Sequence, residues 1–352
     1  MYSQSDLNSA VKAGAITAAA ADALRRHVAD QRGAMPADAE HFRLITGFND
    51  IFVSIGVVIM LFAAGAIGEA MIPSLMGPSP LIGLLVAGTA WGLAEVFTRS
   101  RRMALPSIIL LLAFLGGTAL MFVGSFVLLF VDSEPTRWVA GLAIAVTGIL
   151  TALAAWLHWR RFMVPITIAG GTAAVAATVI GLLMVALVPE NSDGQTTLLS
   201  LVFVAGLVVF GLAMRWDMSD TARATRRSDV AFWLHLLAAP MLAHPLFTLI
   251  GVTEGDAIGI GGALAVLAIY LFFALVALAI DRRALLVSAL AYVLVALTTL
   301  FNTFGVIELN VALTALVIGS ALLTLSAFWT PIRAKVVDML PGDMTMRLPA
   351  TA

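Results

Sequence analysis

Ionisable side chains inside a long apolar run are costly, so they are the first place to look for chemistry. The segment AFWLHLLAAPMLAHPLF holds two, His235 and His244, together with Pro240 and Pro245. Imidazole takes up and releases protons near neutral pH. A proline inside a helix removes a backbone hydrogen bond and frees a carbonyl. A kinked, histidine-bearing helix could therefore gate a cavity or pass protons. The two histidines are nine residues apart, which puts them on opposite faces of a straight helix and about 13 Å apart along it. One metal held by both is not expected. The plainer account of each is a buried histidine hydrogen-bonded to a neighbouring helix.

Other polar groups in apolar runs are few. Thr298, Thr299, Asn302 and Thr303 recur at helical spacing, and Asn302 could line a vestibule, although such groups more often bond to their own backbone or to an adjacent helix. Glu95 lies four residues before Arg99, the spacing of an ion pair along one helix face. Glu69 lies near the end of the first apolar run and is expected to be solvated. The stretch from Trp216 to Asp229 mixes Asp217, Asp220 and Asp229 with several arginines. It reads as a solvated linker, with an anionic-headgroup site as the sharper alternative. Gly116, Gly117, Gly170 and Gly171 allow close helix approach, and the Gly170–Ala174 spacing suits small-residue packing.

The chain has no cysteine, so disulfides, thiolate metal sites and cysteine nucleophiles are excluded. No Walker, HExxH, GxSxG or dinucleotide fingerprint occurs. Neither a cofactor nor a metal site is expected. No convergent acid, base and nucleophile is visible, and an enzyme is the less favoured class.

The elements that must position these residues follow from composition. Of 352 residues 61% are hydrophobic and 12% are charged, about half the charge of a soluble domain. Apolar stretches near 51–71, 81–98, 105–131, 138–157, 163–188, 196–214, 230–251, 257–280, 284–305 and 309–330 are each long enough to cross the hydrocarbon layer as a helix. Helices are required because backbone groups in lipid must be satisfied within the segment. The fold class is thus an all-α integral membrane bundle of about ten transmembrane helices. The first run is too long for a signal-peptide core and reads as an uncleaved span. Residues 331–352 read as a cytosolic tail.

Residues 1–50 form a small cytosolic helical module in this reading. Gly14 ends a first short helix, Thr17 caps a second over 18–31, and Pro36 opens a third over 37–46. Eleven arginines fall in the loops after the second, fourth, sixth and eighth spans, five basic residues precede the first span and three follow the last. That places nineteen of twenty on one side, with Arg137 alone opposite. The positive-inside rule then gives an N-in/C-in topology in a plasma (inner) membrane. The charges nearly cancel, so nucleic acid is not an expected partner. The lipid bilayer is expected, and membrane-protein partners or a second copy are conceivable.

Four Arg pairs, Arg101–Arg102, Arg160–Arg161, Arg226–Arg227 and Arg282–Arg283, stand at the inward loops with a spacing near 60 residues. Tandem helical hairpins would produce this spacing. Anchoring of every inward loop by arginine would produce it without duplication.

The opening DLNSAVKAGAITAAAADALRRHV resembles the short helical leader of a bacterial family of multi-spanning membrane proteins without an assigned activity. HFRLITGFNDIFVSIG and SDVAFWLHLLAAPMLAHPLF are similar to membrane proteins of alphaproteobacterial type. The resemblance implies a topology and a lineage and transfers no activity. Two functions remain open: translocation of a small molecule or ion, which suits many spans with short loops, and a membrane scaffold or assembly partner acting through helix packing and the N-terminal module.

Overall fold

The computed structural model describes residues 9–24, 48–73, 77–130, 136–189, 192–221, 223, 225–251, 260–303, 310–345 and 348. Residues 1–42, with 351 and 352, form one compact unit and Arg43–Ala350 a second. In the first, residues 9–12 and 18–24 are helical. Gly14 takes a left-handed φ of 70° between them, and the Thr17 hydroxyl accepts from the Ala20 amide at 3.1 Å, capping the second helix. The third stretch expected at 37–46 lies outside the described residues.

The second unit is all helix among the described residues: α1 Phe48–Met71, α2 Pro80–Ala94, α3 Ala104–Leu129, α4 Arg137–Phe162, α5 Ile166–Leu187, α6 Gln195–Met218, α7 Arg226–Leu249, α8 Ile260–Ile280, α9 Ala284–Thr303, α10 Asn310–Ala327, α11 Trp329–Asp338 and α12 Gly342–Thr345. A six-residue π-helical continuation, Glu95–Ser100, extends α2. Each of the ten apolar stretches contains a helix. Eight helices, α1 to α8 with the π-turn included, are long and apolar enough to cross a membrane. The count reaches nine if α10 and α11, bent 74° to each other, are taken as one broken span. Ten were expected; α9 is not among the helices counted, and the last run divides at Phe328. α11 turns back so that Trp329, Arg333 and Val337, one turn apart, are buried. Part of the expected tail is thus docked helix. Large exposed apolar side chains such as Phe52, Phe62, Leu142 and Leu271 cover the outside, a surface that only a bilayer solvates well. The chain is a polytopic helical membrane protein.

Consecutive helices pack as antiparallel hairpins, most extensively α2 with α3, α4 with α5, and α6 with α7. The tightest approach joins α2 to α3. A Cβ placed on Gly83 would clash with the Met121 amide nitrogen and the Gly117 carbonyl oxygen, so the two backbones touch. Of the expected glycines, Gly117 takes part in this contact, whereas Gly116 faces open space. α7 is the most enclosed span, with 56% of its apolar window buried against 11% for α5, and it packs on α5, α6 and α9.

At the arginine-rich end, four of the described non-glycine residues are left-handed: Arg102, Met163, Arg223 and Asp281. Each lies in one of the short turns between paired helices. The left-handed residue is the second Arg of its pair in the first turn, two residues after the pair in the second, three before it in the third and one before it in the fourth. The Arg pairs therefore do not occupy equivalent backbone positions, which favours loop anchoring over duplication as their origin.

Candidate functional site

α7 carries the histidines on opposite faces, as their spacing requires. It runs as one helix through both prolines, with Pro240 exposed and Pro245 buried. His244 is exposed, and its Nδ1 lies 2.6 Å from the Tyr292 hydroxyl of α9. His235 is fully buried. Its Nδ1–H donates to the Ala231 carbonyl of its own helix at 2.8 Å, and its Nε2 has no hydrogen-bond partner. The expected interhelical bond thus exists at His244 and not at His235. Asn302 lies in the last turn of α9, with its side chain outside the described residues.

What surrounds His235 was not foreseen. Asp217, at the end of α6, lies 3.9 Å from its Nδ1 and is 4% exposed. The Asp217 carboxylate takes both Nε, at 3.1 Å, and Nη2 of Arg282, which is 3% exposed and also donates to the carbonyl and hydroxyl of Ser228. The adjacent Asp281 accepts from Arg223 Nη1 and from Trp329 Nε1, each at 2.7 Å. Arg333 Nε lies 3.7 Å from the same carboxylate. Arg223 also donates to the Ile280 and Asp281 carbonyls. Burial, with Arg282 nearby, pushes the Arg223 guanidinium below the usual arginine range against the pull of Asp281. One ionic network therefore ties α6, α7, the α8–α9 turn and α11 together. The stretch from Trp216 to Asp229 is not the solvated linker expected, because its Asp217 and Arg223 find partners about sixty residues away.

A second ion pair closes the same end of the preceding helices. Glu95 meets Arg99 at 3.3 Å as its spacing suggests, but its main partner is Arg161 at the end of α4. Arg161 donates Nε to Oε1 at 2.7 Å and Nη2 to Oε2 at 2.9 Å. This pair is half-exposed, at 40% and 32%. One turn deeper, His158 is 1% exposed, with Nδ1 at 3.2 Å from the Thr167 hydroxyl and Nε2 without a hydrogen-bond partner. Its ring lies 4.6 Å from Phe162, 5.6 Å from Phe114 and 6.1 Å from Trp91. Leu111, Leu115, Ala154 and Ala155 pack directly beyond it.

Toward the arginine-poor end the contact between α3 and α4 opens. A crevice of about 410 Å³ lies among α3, α4 and α5, lined by Ala119, Val123, Ala140, Ile144, Thr147 and Thr178 among others. Its walls are almost wholly apolar, and the Thr151 and Thr178 hydroxyls donate to carbonyls of their own helices. The face of α4 that lines the crevice, Ala140 to Thr151, continues at helical spacing through Ala154, Ala155 and His158 to Arg161. One helix thus carries an open half and a sealed half. Sequence reading missed His158 and Arg161 as partners of other helices. The available signal was that both stand at the end of a span, one turn apart.

Among the described residues no group of three His, Asp or Glu side chains could hold a metal. No family model, curated protein or solved structure matches the chain, and none of these comparisons supplies the bacterial family that the leader and the α1 and α7 segments resemble.

Proposed function

We propose that the chain moves a small molecule or ion across a bacterial plasma membrane, with the α3–α4–α5 crevice as its open side and the Glu95–Arg161 end as its closed side. The one-sidedness of the crevice carries this reading. A carrier needs a site open to one face and shut to the other, with a thin barrier between. Here the barrier is the aliphatic layer of Leu111, Leu115, Ala154 and Ala155, the aromatic layer around His158 and one half-exposed ion pair. Ten crossings are retained, with α9 and the α10–α11 pair as the ninth and tenth, and both termini in the cytoplasm by the positive-inside rule. The crevice then faces the outer leaflet and the two ionic seals face the cytoplasm. His235 sits beside the Asp217–Arg282 pair and His244 across from Tyr292, where they hold α7 in place.

Purified protein in liposomes should move a solute from a panel of ions and small amphiphiles, and Thr147→Phe, which fills the crevice, should slow that movement. The reading fails if every solute in the panel crosses no faster than through protein-free liposomes.

A scaffold or assembly role is the second reading. The separate compact unit formed by residues 1–42 favours it. It requires membrane proteins that co-purify with the full chain and are lost when residues 1–46 are deleted. Partners that stay bound after the deletion would count against it.

A further inference from the structure

The walls of the crevice offer little to a polar solute. Thr178 and Thr151 already donate to backbone carbonyls, and the remaining lining is alanine, valine, isoleucine and phenylalanine with Thr147 and Gly148. The volume of about 410 Å³ is within the usual range for small-ligand pockets, roughly 300–1,000 Å³. The crevice also opens sideways. Val123 and Ile144 are each 40% exposed on its edges, at the depth where a bilayer presents hydrocarbon, so an occupant can enter from the membrane without crossing water.

Its arginine-poor end has one charged feature. Arg137 begins α4, and residues 137, 140, 144, 147 and 151 follow one another on a single helix face. The guanidinium is half-buried, and its Nη2 donates to the Met184 carbonyl of α5 at 2.8 Å, which fixes it between α4 and α5, one turn beyond Ala140, the nearest crevice residue on its own helix. A guanidinium has five N–H donors in a planar fork suited to carboxylate and phosphate. Trp138 beside it is 73% exposed, as befits a ring at headgroup depth. Among the described residues of the bundle the other thirteen basic residues lie at the opposite end of the helices, and the segments that join helices at this end are acidic in sequence. Arg137 is thus where an anion would be stabilised on this side.

From this juxtaposition we infer that the crevice binds an anionic amphiphile, with its alkyl chain among α3, α4 and α5 and its carboxylate or phosphate headgroup at Arg137. This assignment rests on the translocation reading for its role, and it names the class of solute moved. A sugar or a metal ion would meet an apolar wall, and a cationic amphiphile would meet a like charge at the mouth. A neutral alkyl chain would fill the crevice without using Arg137.

The test uses full-length protein in nanodiscs of a zwitterionic phosphatidylcholine, with three photoactivatable probes of equal chain length: a diazirine fatty acid, a diazirine phosphatidylglycerol and a diazirine fatty alcohol. Either anionic probe, or both, should crosslink within 119–126 and 140–151, and which one does so identifies a free carboxylate or a lipid phosphate as the source. Arg137→Gln should lower that labelling about tenfold, the usual worth of one charge-assisted hydrogen bond, whereas Arg137→Lys should keep most of it. Ala119→Leu, which leaves Arg137 in place, should reduce labelling by filling the chain site, so the assignment survives even if Arg137→Gln does not fold. Equal labelling by the alcohol, or labelling unchanged in Arg137→Gln, overturns it. Labelling without transport in liposomes would sink the translocation reading and leave the ligand assignment standing. Transport of other solutes without labelling would do the reverse.

Discussion

The two ionic seals at the arginine-rich end share one plan and differ in depth. In each, a carboxylate closing one helix of a hairpin series reaches an arginine two helices on: Glu95 to Arg161, 66 residues later, and Asp217 to Arg282, 65 residues later. The first pair is half-exposed and the second is almost entirely buried. Exposed pairs gain little and separate easily, because water takes over their solvation. A buried pair has already lost its water, so separating it leaves an uncompensated charge. In the translocation reading the same connection makes a hinge in one half of the molecule and a brace in the other. The crevice lies beside the hinge. The brace is reinforced by Arg223, Ser228, Trp329 and Arg333, and it encloses the most buried span.

This contrast is broken most directly at the brace. Asp217→Asn leaves Arg282 buried without its counter-charge and should cost about 3–5 kcal/mol, read as a large fall in the unfolding temperature of the purified protein. A variant as stable as the native chain would mean that the pair is solvated after all and that the two seals are equivalent. Trp329→Phe removes the indole donor to Asp281 and should cost roughly 1.5–3 kcal/mol, the range for a hydrogen bond to a charged group. Hydrogen exchange should then quicken in α11 and stay unchanged in α2. Gly83→Ala tests the frame of the hinge half. Its methyl meets Met121 and Gly117 backbone atoms, so α2 and α3 must separate, at about 1–3 kcal/mol. If Gly83→Ala is neutral, α2 and α3 slide past each other and the hinge lies between them.

The helices were legible in the sequence because length and apolarity are local properties, and every apolar stretch holds a helix whose ends differ from the expected ones by a few residues. The break in the last apolar run was not legible, because the 74° bend at Phe328 goes with the contacts that Trp329 and Arg333 make to Asp281. Glu95 shows the same limit in a single residue. Its i, i+4 partner Arg99 was readable, and its stronger partner Arg161 was not, because that contact depends on how two hairpins stand beside each other. The burial of Asp217 was hidden for the same reason. A carboxylate in an arginine-rich loop reads as solvated until the partners are known. His235 and His244 were found by the rarity of charge in apolar runs, yet what distinguishes them, one enclosed beside Asp217 and the other bonded to Tyr292, is tertiary. His158 has the same composition signal and was passed over because it stands close to a span end.

The smallest stability effect belongs to the hinge and sharpens the comparison most. Glu95→Gln keeps the shape of the side chain and removes its charge, so Arg161 and Arg99 lose a partner that water replaces at once. The unfolding temperature should hardly move. Access should change instead. The chain has no native cysteine, so a single Ala155→Cys, on the sealed half of α4 and 3% exposed before substitution, reports on the barrier without background. In the native seal a water-soluble maleimide added from the arginine-rich side should label it slowly. With Glu95→Gln the labelling should quicken, because α4 is then held against α2 and α3 by apolar packing around His158 and Leu111 without the ion pair. A control cysteine at Ala238, fully buried in α7 behind the brace, should stay unlabelled in both. Equal rates at Ala155→Cys with and without the Glu95 charge would place the whole barrier in the apolar layers around His158 and Leu111 and leave the ion pair as a surface contact. Faster labelling at both cysteines would show that the two halves open together and that the brace is no more fixed than the hinge.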